Sequence, residues 1–381
     1  MSSRLTCVTG FWDPTTIGRD ADQRSAAVYL RLFEDLQRSI PWPIVIWIDP
    51  AWTEAVQAIV ARGAPAERRV VARAFDDLPR ARDRLALERL RPFDHDDPGR
   101  NTLGVTVVTW AKPDLVVDAI DLDGPPSDRW AWIDFGLPHV ADLGDVDWRA
   151  IAAFAPERVR LCSMRATAPS EIADLAQFYR ANWGKIAAGF FTGSADAMRG
   201  LRAEFHVQLD RMWATGRRVH DEQILAVLQA QDPRAYDCWY ADYTGLLVNY
   251  TGIRRDVPTI LGNLGYCRYC QLWTTGIDIA TRLVTAMREQ RVLLTPAETA
   301  RLLHEGFICA YYADPGLAGR LGQILALLYR HGKADFRRVI EGWQPLVEQN
   351  LRFAGIDLHK PAWTLAELLA QPDLAAWRVC L

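Results

Sequence analysis

Two rhythms of apolar residues alternate along the first two thirds of the chain. Short apolar runs at residues 5–11, 44–48, 69–75, 129–135, 159–164 and 189–191 read as buried strands. Between them lie stretches with helical spacing. Residues 22–40 place Ala26, Ala27, Leu30, Phe33, Leu36 and Ile40 on one face. Residues 51–61, 170–186 (with Ser170 as cap), 195–213 and 221–229 follow the same period. Residues 103–120, around Lys112-Pro113, are apolar and read as helix, although their β-branched side chains also suit a strand. Residues 236–247 carry Asp242 in an aromatic setting. The alternation predicts an α/β domain with a mixed, mostly parallel sheet over residues 1–250.

Beyond about Thr251 the strand rhythm stops. Residues 277–290, 296–312, 319–331, 336–353 and 365–369 all favour helix, with no fixed-period repeat, so a mainly helical C-terminal extension over 251–381 is expected.

Composition narrows the class. A chain of 381 residues, half of them hydrophobic and 24% charged, can bury a large core. Its net charge of −3 argues against a basic footprint for nucleic acid. Neither a secretion signal nor a bilayer-spanning apolar stretch is apparent, and seven scattered cysteines make no disulfide framework, so a reducing cytoplasm is expected. Cys267 and Cys270 form one close pair; with no second pair at suitable spacing they read as buried thiols on a helix, although a fold could bring His304 and Cys309 to them. Asp94-His95-Asp96-Asp97 reads as a solvated loop, since nothing fixes its geometry for a metal. Fifteen tryptophans serve either a core or the walls of a sugar site.

Three segments carry candidate chemistry. Trp130-Ala131-Trp132-Ile133-Asp134-Phe135-Gly136 delivers a carboxylate at the end of an apolar strand, where open α/β sheets bind ligands. Gly189-Phe190-Phe191-Thr192-Gly193-Ser194 places glycines around two aromatics before a helix, which suits either close backbone approach to a ligand or a plain strand-to-helix turn. His220-Asp221-Glu222-Gln223 opens another helix, with Asp221 and Glu222 as either capping groups or an acid/base pair.

The order of these motifs is more specific than any of them alone. Thr9-Gly10-Phe11-Trp12-Asp13, Ile17-Gly18-Arg19, Lys112-Pro113, the Asp134 strand and the two later segments together resemble the HtrL/YibB family of bacterial glycosyltransferase-like proteins over about residues 4–250. Residues 189–225 also resemble the blood-group-type retaining glycosyltransferases. Both resemblances imply a GT-A fold and transfer of a sugar from a nucleotide-sugar donor. They imply Mn²⁺ or Mg²⁺ on the donor diphosphate, held at Asp134, with Trp132 standing where such a motif usually has another aspartate. Glu222 would lie beneath the anomeric carbon, Asp221 would touch donor sugar or acceptor, and Gly189 and Phe190 would shape the pocket. Lys112 or Arg19 would serve as fixed cations. Thr9, Phe11 and Asp49, at or near the ends of the first two strands, are candidates for the nucleoside, although Asp49 suits a helix cap better. The acceptor is open among a surface glycan, a small molecule, a protein and a modified nucleic acid. The competing expectations are another nucleotide-dependent transferase, for which no phosphate loop is evident, and a non-catalytic sugar- or nucleotide-binding scaffold.

Overall fold

The computed structural model describes residues 5–13, 25–63, 65–94, 96, 101–122, 127–154, 157–364, 366–367 and 370. The chain divides into two compact units. The first runs to Thr251, apart from residues 164–166 and 240–242; the second takes those two stretches and the chain from Gly252 onward.

The first unit is built on a sheet of β1 (Leu5–Phe11), β2 (Ile44–Ile48), β3 (Arg68–Ala72), β4 (Arg129–Ile133), β5 (Val159–Ser163), β6 (Ile186–Ser194) and β7 (Tyr236–Tyr240), in the order β3-β2-β1-β4-β6-β5-β7. β1 runs parallel to β2 and β4, and β2 to β3, whereas β6 is antiparallel to β4 and β5. The chain steps outward from β1 to β3, then returns to the other side of β1 for β4. Such a reversal opens a crevice at the carboxyl ends of the two central strands. The fold class is therefore α/β with a mixed, mostly parallel sheet.

The helices here include α1 (Ala26–Ser39), α2 (Thr53–Ala61), α3 (Leu103–Trp110), α4 (Lys112–Ile120), α5 (Ala195–Ala214) and α6 (Asp221–Gln231). α1 brings Phe33 onto Phe135, with ring centroids 4.2 Å apart, and Phe135 stacks in turn on Phe11. Trp132, Leu115, Val116, Phe205, Leu209 and Met212 belong to one continuous core. Two buried indoles have their N–H groups satisfied: Trp47 donates to Leu115 O at 2.9 Å and Trp110 to Val219 O at 2.8 Å.

Some elements differ from expectation. The apolar stretch 103–120 is two helices meeting at Ala111, with Pro113 in the first turn of the second, where a missing N–H leaves no bond unmade. Residues 170–186 are not a long helix capped by Ser170. Only Leu175–Phe178 is helical, and its cap is Asp174, which accepts from Gln177 N at 3.0 Å. The cause is Glu171, which accepts from Ala168 N and pairs with Lys185 at 2.8 Å, holding the chain in a turn. β6 is correspondingly longer than the three residues expected.

The second unit is helical: α7 (Val257–Tyr269), α8 (Trp273–Arg288), α9 (Pro296–Ala313), α10 (Pro315–His331) and α11 (Ala334–Phe353), around its own core of Leu264, Ile279, Leu303, Phe307, Leu325 and Ile340. α9 starts at a reciprocal cap, with Glu298 N donating to Thr295 Oγ1 and Thr295 N to Glu298 Oε2. Cys267 is buried in α7 and Cys270 follows its last turn. The helix expected at 365–369 falls mostly outside the described residues. Among those described, no helix is long and apolar enough to cross a membrane.

Candidate active site

β4 ends at Ile133, and Asp134 leaves the sheet with its backbone N–H bonded to Gly189 O at 2.8 Å. Trp132 points to the same face as Trp130, two residues away along the strand. Its Nε1 donates to Asp134 Oδ1 at 2.7 Å. Trp132 thus fixes the rotamer of Asp134.

Lys112, the first residue of α4, is 5% exposed and reaches the same oxygen. Its Nζ stands 2.9 Å from Asp134 Oδ1, 2.9 Å from Asp221 Oδ2 and 3.2 Å from Ala188 O. Burial works against the ammonium charge, but the two carboxylates outweigh it, and the Lys112 pKa is raised. One buried cation therefore ties together the end of β4, the start of α6 and the middle of β6.

α6 is capped by His220, whose backbone N–H donates to Gln223 Oε1 at 3.2 Å. Asp221, read from sequence as a possible cap, is instead the first helical residue and is buried facing Lys112. Its Oδ2 has Lys112 as its partner, in a hydrogen-bonded ion pair. Burial raises the Asp221 pKa, with Lys112 opposing. Glu222 comes next in the first turn, where the helix amides favour negative charge. Tyr243 OH donates to Glu222 Oε1 at 2.5 Å, and the Ala188 N–H also reaches this carboxylate. Burial and the charge of Asp221 push Glu222 up to about 7 against those bonds. Burial and the Glu222 charge raise the Tyr243 hydroxyl as well, keeping it a donor.

A cavity of about 170 Å³ opens at the carboxyl ends of β1 and β4. Phe11, Trp12, Tyr29, Trp132 and Phe135 line it, with Thr109, Lys112, Asp134 and His139 among its polar or charged groups. Gly136 lets the Tyr29 ring lie against the chain: a Cβ there would stand 2.6 Å from Tyr29 Cε1. Trp12 and Trp132 are buried and also line the cavity, so core and wall are the same side chains.

The structure brings Lys112, Asp134, Asp221 and Glu222 into one polar network and puts Phe11, Lys112 and Asp134 on the cavity. Gly189 lies beside this network rather than on the cavity; a Cβ there would come within 3.0 Å of Leu137 and 3.4 Å of Asp134 Oδ2. Phe190, expected in the pocket, is wholly buried against Trp239 and Tyr250, because β6 is an interior strand covered on both faces. Thr9 is buried with its hydroxyl unbonded and does not line the cavity. Asp49 accepts from Ala51 N at 3.0 Å, as the cap of the turn leading into α2, and does not line the cavity. Arg19 lies outside the described residues, as do His95 and Asp97. Tyr243 and Ala188 were not among the sequence candidates. In the aromatic segment around Asp242, its neighbour Tyr243 is the residue that reaches the site.

No group of three or more His, Cys, Asp or Glu residues arranged for a metal is found among the described residues. Asp134 nonetheless fits one role. Its side chain is 38% exposed, and its Oδ2 has no hydrogen-bond partner among the described residues. Mg²⁺ and similar hard cations often take only one or two carboxylates and complete their shell with substrate phosphates and water. Asp134 can supply that single oxygen.

No protein-family model matches the sequence, and no curated protein matches it, so the resemblance drawn above stands on its motifs. Among solved structures, the chain is similar to mouse xyloside xylosyltransferase 1 in its apo form, with 10% identity and a TM-score of 0.35 over 62% of this chain and 84% of that one. It is also similar to the 4-diphosphocytidyl-2C-methyl-D-erythritol synthase of Anaerococcus prevotii, with 10% identity and a TM-score of 0.34 over 69% and 98%. Likenesses this remote do not bear on the chemistry, for which the side-chain geometry is the basis.

Proposed function

We propose that the first unit is a GT-A-like glycosyltransferase that moves a sugar from a nucleotide-sugar donor to an acceptor. One observation carries this reading. At the strand-order reversal, Lys112 joins Asp134 to Asp221, which places a carboxylate beside an aromatic cavity in the same network as the tuned carboxylate Glu222.

The cavity is slightly larger than the cavity of about 150 Å³ that admits benzene, so it takes one ring of the donor. Aromatic walls suit a nucleobase or the apolar face of a sugar. Asp134 receives the diphosphate end, where a bound Mn²⁺ or Mg²⁺ supplies neutralisation of the charge that develops on the leaving nucleoside diphosphate. Glu222 is the carboxylate for the sugar end. Whether it takes the proton of an acceptor hydroxyl or stands under the anomeric carbon, it acts in its charged form. Tyr243 holds Oε1 of Glu222 and so fixes the carboxylate's direction.

Titration with UDP-, GDP- and dTDP-sugars, with and without Mn²⁺, tests the reading through binding and slow donor hydrolysis. Asp134→Ala is expected to lose metal-assisted donor binding, and Glu222→Gln to keep binding and lose turnover. Absence of binding and hydrolysis with every donor, or equal activity in both variants and wild type, removes it.

A further inference from the structure

We infer that Lys112 is a built-in counter-ion: its ammonium occupies the place between Asp134 and Asp221 that a divalent cation would take, so the free protein holds no divalent cation there. The geometry is specific. Three oxygens surround Nζ, two of them carboxylate oxygens at 2.9 Å and one the Ala188 carbonyl at 3.2 Å. Hard divalent cations seek such an all-oxygen set of carboxylates and a backbone carbonyl. Asp221 Oδ2 is buried, and Lys112 Nζ is its partner. A divalent ion between the same oxygens would have to displace the ammonium or stand in contact with a like charge, and Lys112, the first residue of α4, is only 5% exposed.

The arrangement has a consequence for the ligand. Lys112 carries one positive charge against two carboxylates, so the network does not present net positive charge to a bare diphosphate. What it leaves open is Asp134 Oδ2. A cation coordinated mainly by a diphosphate needs only that oxygen from the protein. Metal and nucleotide then enter as one complex, and the metal alone is refused. This consequence rests on reading Asp134 as the diphosphate end; the placement of Lys112 does not.

The test is Mn²⁺ binding to the full chain at neutral pH, followed by the free-ion electron paramagnetic resonance signal. Wild type is expected to show no saturable binding at this site tighter than about 1 mM. Tighter binding that Asp134→Asn abolishes overturns the inference. Lys112→Met removes the resident charge and is expected to bind Mn²⁺ at least about tenfold more tightly than wild type, a gain lost again on adding Asp134→Asn. A folded Lys112→Met protein without that gain overturns the inference. If the variant is too unstable to titrate, Mn²⁺ is expected to raise its melting temperature, and no rise counts equally against the inference. UDP, GDP and dTDP, titrated with and without Mn²⁺, judge the proposed function separately. If none binds, that function falls while the Mn²⁺ result still decides the place of Lys112.

Discussion

Glu222 titrates near neutrality because burial and Asp221 act against its charge more strongly than Tyr243, Lys112 and the Ala188 amide support it. Chemistry that needs the carboxylate charged should therefore quicken as pH rises through about 7. Tyr243→Phe deletes a bond that stabilises the charged form, so the midpoint of the pH–rate profile moves to higher pH; an unchanged midpoint would deny Tyr243 its place. Glu222→Gln should reduce turnover by about 10²–10⁴-fold with little change in donor binding. The same group affects stability. Its folded pKa of about 7 lies above the ordinary 4.5, so the folded state binds the proton more tightly. That contribution is complete below about 4.5 and is lost as pH climbs through 7. Thermal melts should show Glu222→Gln above wild type at about pH 8, with the gap closing by about pH 5. Most of these residues were legible from sequence one at a time. Their pairings were not, because Lys112, Asp134, Asp221 and Tyr243 sit on different elements and only the fold sets their distances. Tyr243 carried no local signal beyond standing next to an acidic residue in an aromatic segment.

At the scale of elements, β6 organises the site although none of its residues lines the cavity. Ala188 accepts from Lys112 and donates to Glu222, and Gly189 O accepts from the Asp134 amide, so two consecutive residues hold three charged groups. Gly189 is needed for close approach between protein groups rather than to a ligand. Gly189→Ala places a methyl group 3.0 Å from Leu137 and 3.4 Å from Asp134 Oδ2. It is expected to cost about 1–3 kcal/mol in denaturant unfolding and to weaken nucleotide binding more than Glu222→Gln does. Stability and binding equal to wild type would show that β6 has room to adjust. The bounds of β1 and β2 were readable in sequence because buried strands leave continuous apolar runs. Helical spacing over 170–186 says nothing of Glu171, whose side chain closes a local turn onto Ala168 N and pairs with Lys185 fourteen residues on.

For the whole molecule, sequence rhythm was enough to read an α/β part and a helical part, but not the strand order that places a crevice between β1 and β4. Charge adds a constraint. A chain of net charge −3 has no overall positive charge to draw in an anionic nucleotide, which puts the weight of affinity on contacts inside the crevice. Binding to the folded state alone then raises stability by mass action, about 2.7 kcal/mol at a ligand concentration 100 times the dissociation constant. For a folding unit of about 250 residues this is a rise of roughly 5–10 °C in melting temperature. UDP, GDP and dTDP, each with Mn²⁺, should separate in such melts, with the nucleotide whose base fits the aromatic cavity giving a rise of this size. Asp134→Ala should lose most of that rise, measured against its own ligand-free transition, which itself falls because Lys112 loses one of its two carboxylates and the Trp132 N–H its acceptor. If none of the three nucleotides moves the transition, the crevice is not a nucleotide site. If the rise persists in Asp134→Ala, the nucleotide binds away from the end of β4.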